Sequence, residues 1–475
     1  GVTGEAPSDV LWHYNLSARH LDKLCERVDT FSVSGDGERL VVRHRDDTIV
    51  VPSSHKVDDD DPAYIRVDLT RLRRTVNPRA EWRQMFDENG RLMASHYWRE
   101  DMNGVDWDSV LNRYRPLVDL CHVVDDLHDI LWETVAELNT SHSYVSASGA
   151  AGDSDMRAGL LGADVSSGND GAKVVRVIPG ESSDPRAWSP LRAAGVAVTE
   201  GDVIVAVDGR KVGADGNLGE LLEGSAGRVV ELTVRRGENE RQVAVVPMAD
   251  EAPLRYHDWV ASRRRYVEEH SGGRLGYLHV PDMVSDGWAE LHRQIGEATR
   301  HEGVIADVRF NHGGHTSQLV VERLARRVVG WDYSRWYATA DTYPQNAVRG
   351  PIVMVTNQWA GSDGDIVAAA TQAMGYAKVI GERSWGGVVG IDGRFDLVDG
   401  TSVTQPRYAG WYGSYGWGVE NHGVDPDIVV TVSPEDWEAD RDVQLDAAIA
   451  ECLRQLDDKP AATAPELPGP AFDRC

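Results

Sequence analysis

The feature that most restricts the fold is a regular alternation of short apolar segments with longer amphipathic ones in the second half of the chain. The apolar segments have the length of buried strands, and helical spacing returns between them. Strands that alternate with helices predict an α/β layer with a mostly parallel sheet. The predicted strands are Gly273–Val280, Gly303–Phe310, Pro351–Thr356 and Ala377–Glu382, and the predicted helices lie near Trp288–Thr299, near Gln318–Val328 and after Ser362.

Two of the predicted strands end in polar, glycine-containing sequences, at the sheet edge where α/β proteins bind their ligands. One of them, "NQWAGSDGDI", runs from Asn357 to Ile366. Ser362 would lie at the mouth of the following helix, beside free backbone N–H groups and the positive end of the helix dipole. This position suits a nucleophile, and the alternative is an ordinary N-cap.

Acyl transfer by a serine also requires a base, a group that orients the base, and donors for the oxyanion. His142 in "NTSHSY", with Ser141 beside it, is a candidate base, although most histidines in a chain are bystanders. The pair Gly313–Gly314 in "RFNHGGHTS" would let backbone N–H groups turn towards a ligand, or would form a tight loop only. Glu420 in "GWGVENHGVDPDI" is a candidate orienting group or a solvated carboxylate.

The chain is long enough, at 475 residues, for three or so domains. Alternating strands in "FSVSGDGERLVVRHRDDTIVVP" are typical of part of a propeller blade that upstream sequence would complete, and helical spacing follows from Trp82 to Leu92. The predicted divisions are a β-propeller fragment at 1–60, a helical domain carrying Ser141 and His142 at 61–148, a PDZ-like module at 149–252, an α/β domain at 253–457 and a disordered tail at 458–475.

The PDZ-like module is indicated by Ser189–Val212, where a short helix is followed by "GD", a strand and "DG". The stretch resembles PDZ domains of bacterial and archaeal proteases. Such domains bind peptide ends by adding a strand to a sheet edge, and a loop such as Leu160–Asp164 would hold the terminal carboxylate. By itself, the module would suit a scaffold protein equally well.

Composition restricts the partners and the compartment. A formal charge of −27 argues against nucleic acid or an anionic membrane as the main partner. The four cysteines are scattered without a CxxC pair, which favours a reducing compartment. No apolar run reaches the length of a membrane span, and the N-terminus lacks the pattern of a signal peptide. We therefore expect a soluble, cytoplasmic chain.

The ordered motifs resemble one family, the tricorn proteases, which are relatives of the C-terminal processing peptidases. The series runs from the partial blade through "TSHSY", the PDZ-like module, "DVRFNHGGHTSQL" and "NQWAGSDGDI" to "VENHGVDPDI", and resembles the C-terminal half of that family. The implied fold class is multidomain, α+β and α/β, with a crotonase-like catalytic domain. The resemblance implies that Ser362 is the nucleophile and His142 the general base, supported by Ser141 and Glu420 as a tetrad.

The same resemblance implies the groups that bind the substrate. The oxyanion hole would use the N–H of Asp363 and a glycine matched to Gly314, although His312 interrupts the family's usual glycine run and leaves Gly313 as an alternative. A strand matched to Gly390, Ile391 and Asp392 would pair with the substrate backbone. Asp332, flanked by Trp331 and Tyr333, would reach a neighbouring subunit's pocket and favour Lys or Arg before the scissile bond.

The resemblance predicts a peptidase that trims oligopeptides in the cytosol as a hexamer, without a metal or other cofactor, with aminopeptidases acting downstream. A different hypothesis is a peptide-binding scaffold with an inactive hydrolase domain, which would require one of His142, Ser362 or Glu420 to be missing. A metallohydrolase using His312, His315, His142 and Asp363 is disfavoured, since the "HGGH" loop is glycine-rich and no HExxH motif occurs.

Overall fold

A computed structural model describes residues 9–44, 47–148, 156–213, 217–336, 338–392 and 395–467. The chain divides into two compact units, Gly1–Pro78 and Arg79–Cys475. Within the described ranges, no helix is both long and apolar enough to cross a membrane. The predicted division at residue 149 and the end of the predicted tail, residues 468–475, lie outside the described residues.

The first unit contains a β-hairpin and a four-stranded antiparallel sheet. Leu40 and Val42 are buried in its core and Val41 between them is exposed, so the alternating pattern produces one apolar face. The predicted strands around "SGDGER" are present, and a fourth strand extends the sheet beyond the predicted division at residue 60. The strands are β1 (Val10–Asn15), β2 (His20–Glu26), β3 (Thr30–Val33), β4 (Arg39–His44), β5 (Asp47–Pro52) and β6 (Ile65–Val67), with sheet order β3-β4-β5-β6.

Three helices open the second unit. Met85 and Phe86 are fully buried between them, as the helical spacing predicted, and Trp107 Nε1 donates to Gly90 O at 3.0 Å. The third helix ends before the predicted Asn139, because Asn139 has a φ of 47° that cannot continue a right-handed helix. The elements are α1 (Pro78–His96), α2 (Trp107–Val118), α3 (Val124–Ala136) and the short strand β7 (Val145–Ser146).

The PDZ-like module is an antiparallel sheet around an apolar core that includes Ile204 and Leu232. Its predicted "DG" turn is present, with φ values of 48° at Asp208 and 74° at Gly209 that suit a tight hairpin. The elements are β8 (Ala163–Gly168), β9 (Gly171–Val177), β10 (Val203–Val207), β11 (Arg210–Lys211), α4 (Leu218–Leu221), β12 (Val230–Arg236) and β13 (Asn239–Val245), in the sheet order β13-β12-β10-β9-β8 with β11 on β10.

The remaining residues form the predicted α/β domain around a parallel five-stranded sheet of order β14-β15-β18-β19-β23. One apolar cluster joins one face of the sheet to α6, α7 and α8, and a second joins the other face to α5 and α10. The elements are α5 (Ala252–His270), β14 (Leu275–His279), α6 (Ser285–Ala298), β15 (Gly303–Asp307), α7 (Ser317–Leu324), β16 (Gly330–Asp332), β17 (Asp341–Tyr343), β18 (Ile352–Thr356), α8 (Asp363–Met374), β19 (Ala377–Gly381), β20 (Gly390–Asp392), β21 (Ser402–Val403), β22 (Gln405–Tyr408), β23 (Ile428–Val429), α9 (Pro434–Glu438) and α10 (Val443–Asp458).

Two features of this domain differ from the sequence analysis. The hairpin β16–β17 was not predicted, because its strands are too short to show an alternating pattern. The described part of the predicted disordered tail packs against the domain. Ala461 contacts the α5–α10 apolar cluster, and Ala462 N donates to Arg349 O at 2.8 Å. These contacts with residues distant in the chain order a Pro- and Ala-rich segment that local composition assigns to disorder.

Candidate active site

Ser362 lies in a strained turn between β18 and α8. Its φ of 56° and ψ of −119° are rarely adopted by a residue with a side chain. Such backbone strain costs on the order of 1–3 kcal/mol and is concentrated at functional sites. The turn is anchored by Asn357, whose Oδ1 accepts from Phe310 N at 3.0 Å and Trp359 N at 3.2 Å. The turn therefore holds the half-buried Ser362 at the start of a helix.

The glycine loop after β15 packs directly against Ser362. A Cβ atom at Gly313 would lie 2.5 Å from Ser362 Cβ and 3.1 Å from Ser362 Oγ, so only glycine fits. Met283 holds the loop, since Met283 N donates to Gly313 O at 2.7 Å and Met283 O accepts from His315 N at 2.8 Å. A Cβ at Gly314 would lie 2.1 Å from Met283 O, which explains the second glycine.

The two glycines differ in how their N–H groups are used. Gly313 N donates to Asn311 Oδ1 at 2.9 Å. Within the described part of the chain, neither Gly314 N nor Asp363 N donates a hydrogen bond, and Gly314 is exposed. In this part of the described structure, the N–H of Asp363, which follows Ser362, and the N–H of Gly314, which follows Gly313, are therefore free. The sequence left Gly313 and Gly314 as alternatives, and this difference favours Gly314.

The side chain of Asp363 links the two loops. Its carboxylate accepts from Ser317 N at 2.9 Å and from Ser317 Oγ at 2.7 Å. Ser317 is the first residue of α7, where free N–H groups and the helix dipole favour a negative charge. The residue after Ser362 thus fixes the helix that follows the glycine loop.

Ser141, His142 and Glu420 form a continuous hydrogen-bonded chain. Ser141 Oγ lies 2.9 Å from His142 Nδ1 and donates to Glu420 Oε2 at 3.0 Å, while Ser141 N donates to Glu420 Oε1 at 2.7 Å. A carboxylate only accepts, so the Ser141 oxygen is left to accept from Nδ1–H of a neutral His142. This tautomer leaves a lone pair on His142 Nε2, as a general base requires.

Glu420 is held by four donors. Besides the two from Ser141, its Oε2 accepts from Val388 N at 2.8 Å and Val389 N at 3.0 Å. The four hydrogen bonds fix the direction of the carboxylate. The segment before β20 therefore positions the last member of the chain.

Burial of His142 lowers its pKa below the usual 6.5, and the negative charge of Glu420 opposes this shift. Its ring lies between Tyr144, at a centroid distance of 5.6 Å, and Trp385, at 5.7 Å. Trp385 also contacts the Ser362 turn, where its N donates to Ala360 O at 2.9 Å. In the described structure no hydrogen bond joins His142 to Ser362, and Trp385 contacts both the His142 ring and the turn that carries Ser362.

The predicted substrate strand is present as β20. It pairs with β22 along one edge, and within the described residues its other edge has no partner strand. A Cβ at Gly390 would lie 1.9 Å from the Tyr408 ring, so the glycine permits this pairing. An open strand edge beside Glu420 suits the addition of a peptide strand.

Asp332 lies apart from these contacts. It is exposed at the end of β16, opposite Asp341 of β17. Like charges opposite each other destabilise a strand pair by a few tenths of a kcal/mol to about 1 kcal/mol. The two aspartates therefore do not serve to stabilise the hairpin.

Asp365 is a buried carboxylate that the sequence analysis missed. Its Oδ1 accepts from Ser384 Oγ and, at 2.8 Å, from Gly386 N, which ties α8 to the segment that holds Glu420. Burial raises the pKa of Asp365 to about 6, and the hydrogen bonds from Ser384 and Gly386 oppose this shift. The sequence signal was the position of Asp365 in the first turn of α8, and an acidic residue there is equally well explained by a favourable interaction with the helix dipole.

The PDZ-like module carries a carboxylate of its own in the loop predicted to hold a peptide end. Gly162 N donates to Glu251 Oε1 at 2.7 Å, and Arg255 Nε donates to Glu251 Oε2 at 2.7 Å. Arg255 also donates to Asp164 at 2.9 Å. In this structure the loop is therefore filled from within the chain, next to α5.

With this geometry established, comparison with known proteins identifies the family. Residues 78–136 match the tricorn protease C1 domain, residues 159–250 the tricorn protease PDZ domain, and residues 274–430 peptidase family S41. The chain therefore belongs to peptidase family S41, a class of serine peptidases. Within that family it belongs to the tricorn proteases, as the order of the three matched domains indicates.

Comparison with individual relatives supports the same family. Tricorn protease homolog 1 of Streptomyces coelicolor is 56% identical over 97% of this chain and 44% of its own length. Tricorn protease of Thermoplasma acidophilum is 35% identical over 95% of this chain and 42% of its own length. A crystal structure of the tricorn protease superposes with a TM-score of 0.85 at 34% identity, covering 94% of this chain and 43% of that one. The chain thus spans less than half the length of these relatives.

Proposed function

We propose that the chain hydrolyses peptides with Ser362 as the nucleophile and His142 as the general base. The observation that carries this proposal is the hydrogen-bonded chain from Glu420 through Ser141 to His142 Nδ1. This chain of hydrogen bonds leaves Nε2 of a neutral His142 unprotonated. The second component of the proposed site is Ser362, a strained serine at the start of a helix. This pairing is what nucleophilic catalysis by serine requires.

The first half-reaction forms an ester. His142 Nε2 removes the proton from Ser362 Oγ as the oxygen attacks the scissile carbonyl, once Ser362 Oγ and Nε2 come into hydrogen-bond contact. The imidazolium charge is stabilised through Ser141 by Glu420. The same proton then passes to the leaving amine, and the carbon–nitrogen bond breaks. In the second half-reaction, water attacks the ester with the same assistance from His142, which releases the acid product and restores Ser362.

The developing oxyanion would be bound by the N–H groups of Gly314 and Asp363. Both donors are free in the described structure. Asp363 follows Ser362 in the chain, and Gly314 follows Gly313, which packs against Ser362. Loss of one oxyanion donor in serine peptidases costs about 2.7–4 kcal/mol of transition-state stabilisation. The links from Asp363 to Ser317 and from Asn311 to Gly313 would keep the two donors in place.

Substrate binding would use the open edge of β20, so that the backbone of Gly390, Ile391 and Asp392 pairs with the peptide. Asp332 would contribute from one subunit to the pocket of its neighbour and favour Lys or Arg before the cleaved bond. This role requires an oligomer, and we propose a homohexamer. The exposed position of Asp332 on a hairpin supports a role outside its own subunit.

We also propose the setting: a cytosolic enzyme that trims oligopeptides released by larger proteases, with aminopeptidases acting on its products.

The rival scaffold function needs a PDZ-like loop open to peptide ends. Glu251 fills that loop, which favours the enzyme. We retain the predicted divisions at about residues 148, 252 and 457 as proposed domain limits, and we move the first limit from residue 60 to a point after residue 67, where β6 ends.

Labelling with a fluorophosphonate, followed by identification of the modified peptide, tests the proposal. We expect modification at Ser362 and loss of both labelling and peptide hydrolysis in Ser362→Ala. Ser271→Ala is a control for a buried serine that lies outside the proposed reaction. Labelling at another residue, or hydrolysis by Ser362→Ala above a few per cent of wild type, would refute the assignment.

A further inference from the structure

A cavity of about 540 Å³ lies at the edge of the catalytic sheet that is opposite to Ser362. It is lined by Pro351 and Ile352, where β18 begins, and by Tyr376, just before β19. Ser362 follows the other end of β18, and a five-residue strand spans about 16 Å. The cavity is therefore separate from the candidate active site, and its volume suits a small ligand.

All the charged side chains that line this cavity are cations. They are Arg326, Arg327, Arg349 and Lys459, and no Asp or Glu is among the lining residues. We call these four residues and the space between them the basic cavity. None of the four forms an ion pair with any residue that the structure describes. A cluster of unpaired cations is unexpected in a chain with a formal charge of −27.

Arg349 is held in place without an acidic partner. Its Nη2 donates to Arg300 O at 2.8 Å and its Nη1 to Ala462 O at 3.3 Å. Arg349 O accepts from Ala462 N at 2.8 Å, so the segment after α10 forms one wall of the basic cavity. The guanidinium is thus preorganised, which reduces the entropy lost when it binds an anion.

The helix ends nearby do not neutralise these charges. Leu324 and Gly375 mark the C-terminal ends of α7 and α8, and each end carries roughly half a negative charge. These two ends and the C-terminal end of α10, whose Gln455 also lines the cavity, together offset about one and a half of the four positive charges.

We propose that the basic cavity binds a small anion that carries two or more negative charges, of the phosphate or multi-carboxylate type. Arg binds both groups through paired N–H donors, and Lys adds a point charge. A doubly charged ligand would leave the site near neutrality after the helix ends are counted. The inference is independent of the proposed peptidase function, because no residue of the basic cavity takes part in that reaction.

Calorimetric titration tests this proposal with inorganic phosphate and citrate as separate probes, at constant ionic strength set by sodium chloride. The cavity variant is Arg326→Gln/Arg327→Gln in the full chain. The matched control is Arg210→Gln/Arg228→Gln, which removes the same charge from exposed residues of the PDZ-like module. Unfolding temperatures of the three proteins verify that each is folded.

We expect saturable binding of at least one probe, with one site per chain, in wild type and control. In the cavity variant the affinity should fall at least tenfold. Binding of phosphate alone, or of citrate alone, would identify which anion chemistry the site selects. Absence of saturable binding of both probes to wild type, or equal affinity in all three proteins, would overturn the proposal.

Discussion

The carboxylate of Asp363 accepts two hydrogen bonds from Ser317, one from the backbone N–H at 2.9 Å and one from the hydroxyl at 2.7 Å. This pair connects the turn that carries Ser362 with the helix that follows the glycine loop. The free N–H of Asp363 belongs to this turn, and the free N–H of Gly314 belongs to the glycine loop three residues before Ser317. Their separation therefore depends on a contact between residues 46 positions apart in the chain.

Loss of the Asp363 carboxylate should reduce catalysis without removing a reacting group. A hydrogen bond to a charged group contributes about 1.5–3 kcal/mol. We expect kcat/KM of Asp363→Ala to fall at least tenfold, and Ser317→Ala, which loses only the hydroxyl, to be affected less. Steady-state kinetics on a short chromogenic peptide measures both. Equal activity of Asp363→Ala and wild type would contradict a role in positioning the oxyanion donors.

The pH dependence of hydrolysis should report His142. Because burial lowers its pKa below 6.5, the imidazole stays neutral to a lower pH than a free histidine. Activity lost on acidification should therefore have its midpoint below pH 6.5, measured as kcat/KM against pH. Glu420→Gln removes the charge that raises this pKa, so its midpoint should move lower still. A midpoint unchanged in Glu420→Gln would argue against the connection through Ser141.

Asp365 should make the protein less stable as the pH rises. Its carboxyl has a pKa of about 6 in the folded chain and near 3.8 when unfolded, so the folded state binds more protons between these values. The free energy of unfolding should then fall from about pH 4 to pH 6, by up to about 3 kcal/mol from this group. Asp365→Asn should lack this component, as urea unfolding at the two pH values would reveal. An identical pH difference in the variant and wild type would exclude it.

Glu251 should control access to the loop of the PDZ-like module. Glu251→Ala leaves Gly162 N without its acceptor, so peptides that end in a free carboxylate should bind the variant more tightly than wild type. Fluorescence anisotropy with a labelled peptide, compared with its C-terminal amide, measures this difference. Glu251→Gln keeps an acceptor and serves as the control. Equal binding by wild type and Glu251→Ala would show that this contact does not block the loop.

Asp332 should affect basic substrates selectively. Asp332→Asn is expected to reduce kcat/KM for Lys and Arg substrates by about 1–3 kcal/mol, the scale of a charge-assisted hydrogen bond, and to leave Leu substrates nearly unchanged. Asp341→Asn is the matched control, because Asp341 lies opposite Asp332 on the same hairpin. Equal loss on both substrate classes would indicate that Asp332 supports the assembly instead.

Local pattern was sufficient for several features. The alternation from Leu275 to Gly381 predicted the parallel sheet because buried strands and amphipathic helices have different apolar periods. The position of Ser362 before a helix followed from the same alternation, and the "DG" turn from the φ values that Asp208 and Gly209 tolerate. These signals arise between residues that are close in the chain. They can therefore be recognised in the sequence alone.

Only the tertiary structure decided which distant groups meet. Ser141 and Glu420 are 279 residues apart, and no local pattern states that the carboxylate points towards that hydroxyl rather than solvent. The sequence proposed Glu420 through a family resemblance, and missed Glu251 beside Gly162 altogether. Folding decides such contacts because buried polar groups need partners, and which partner is near depends on how the packed layers bring chain segments together.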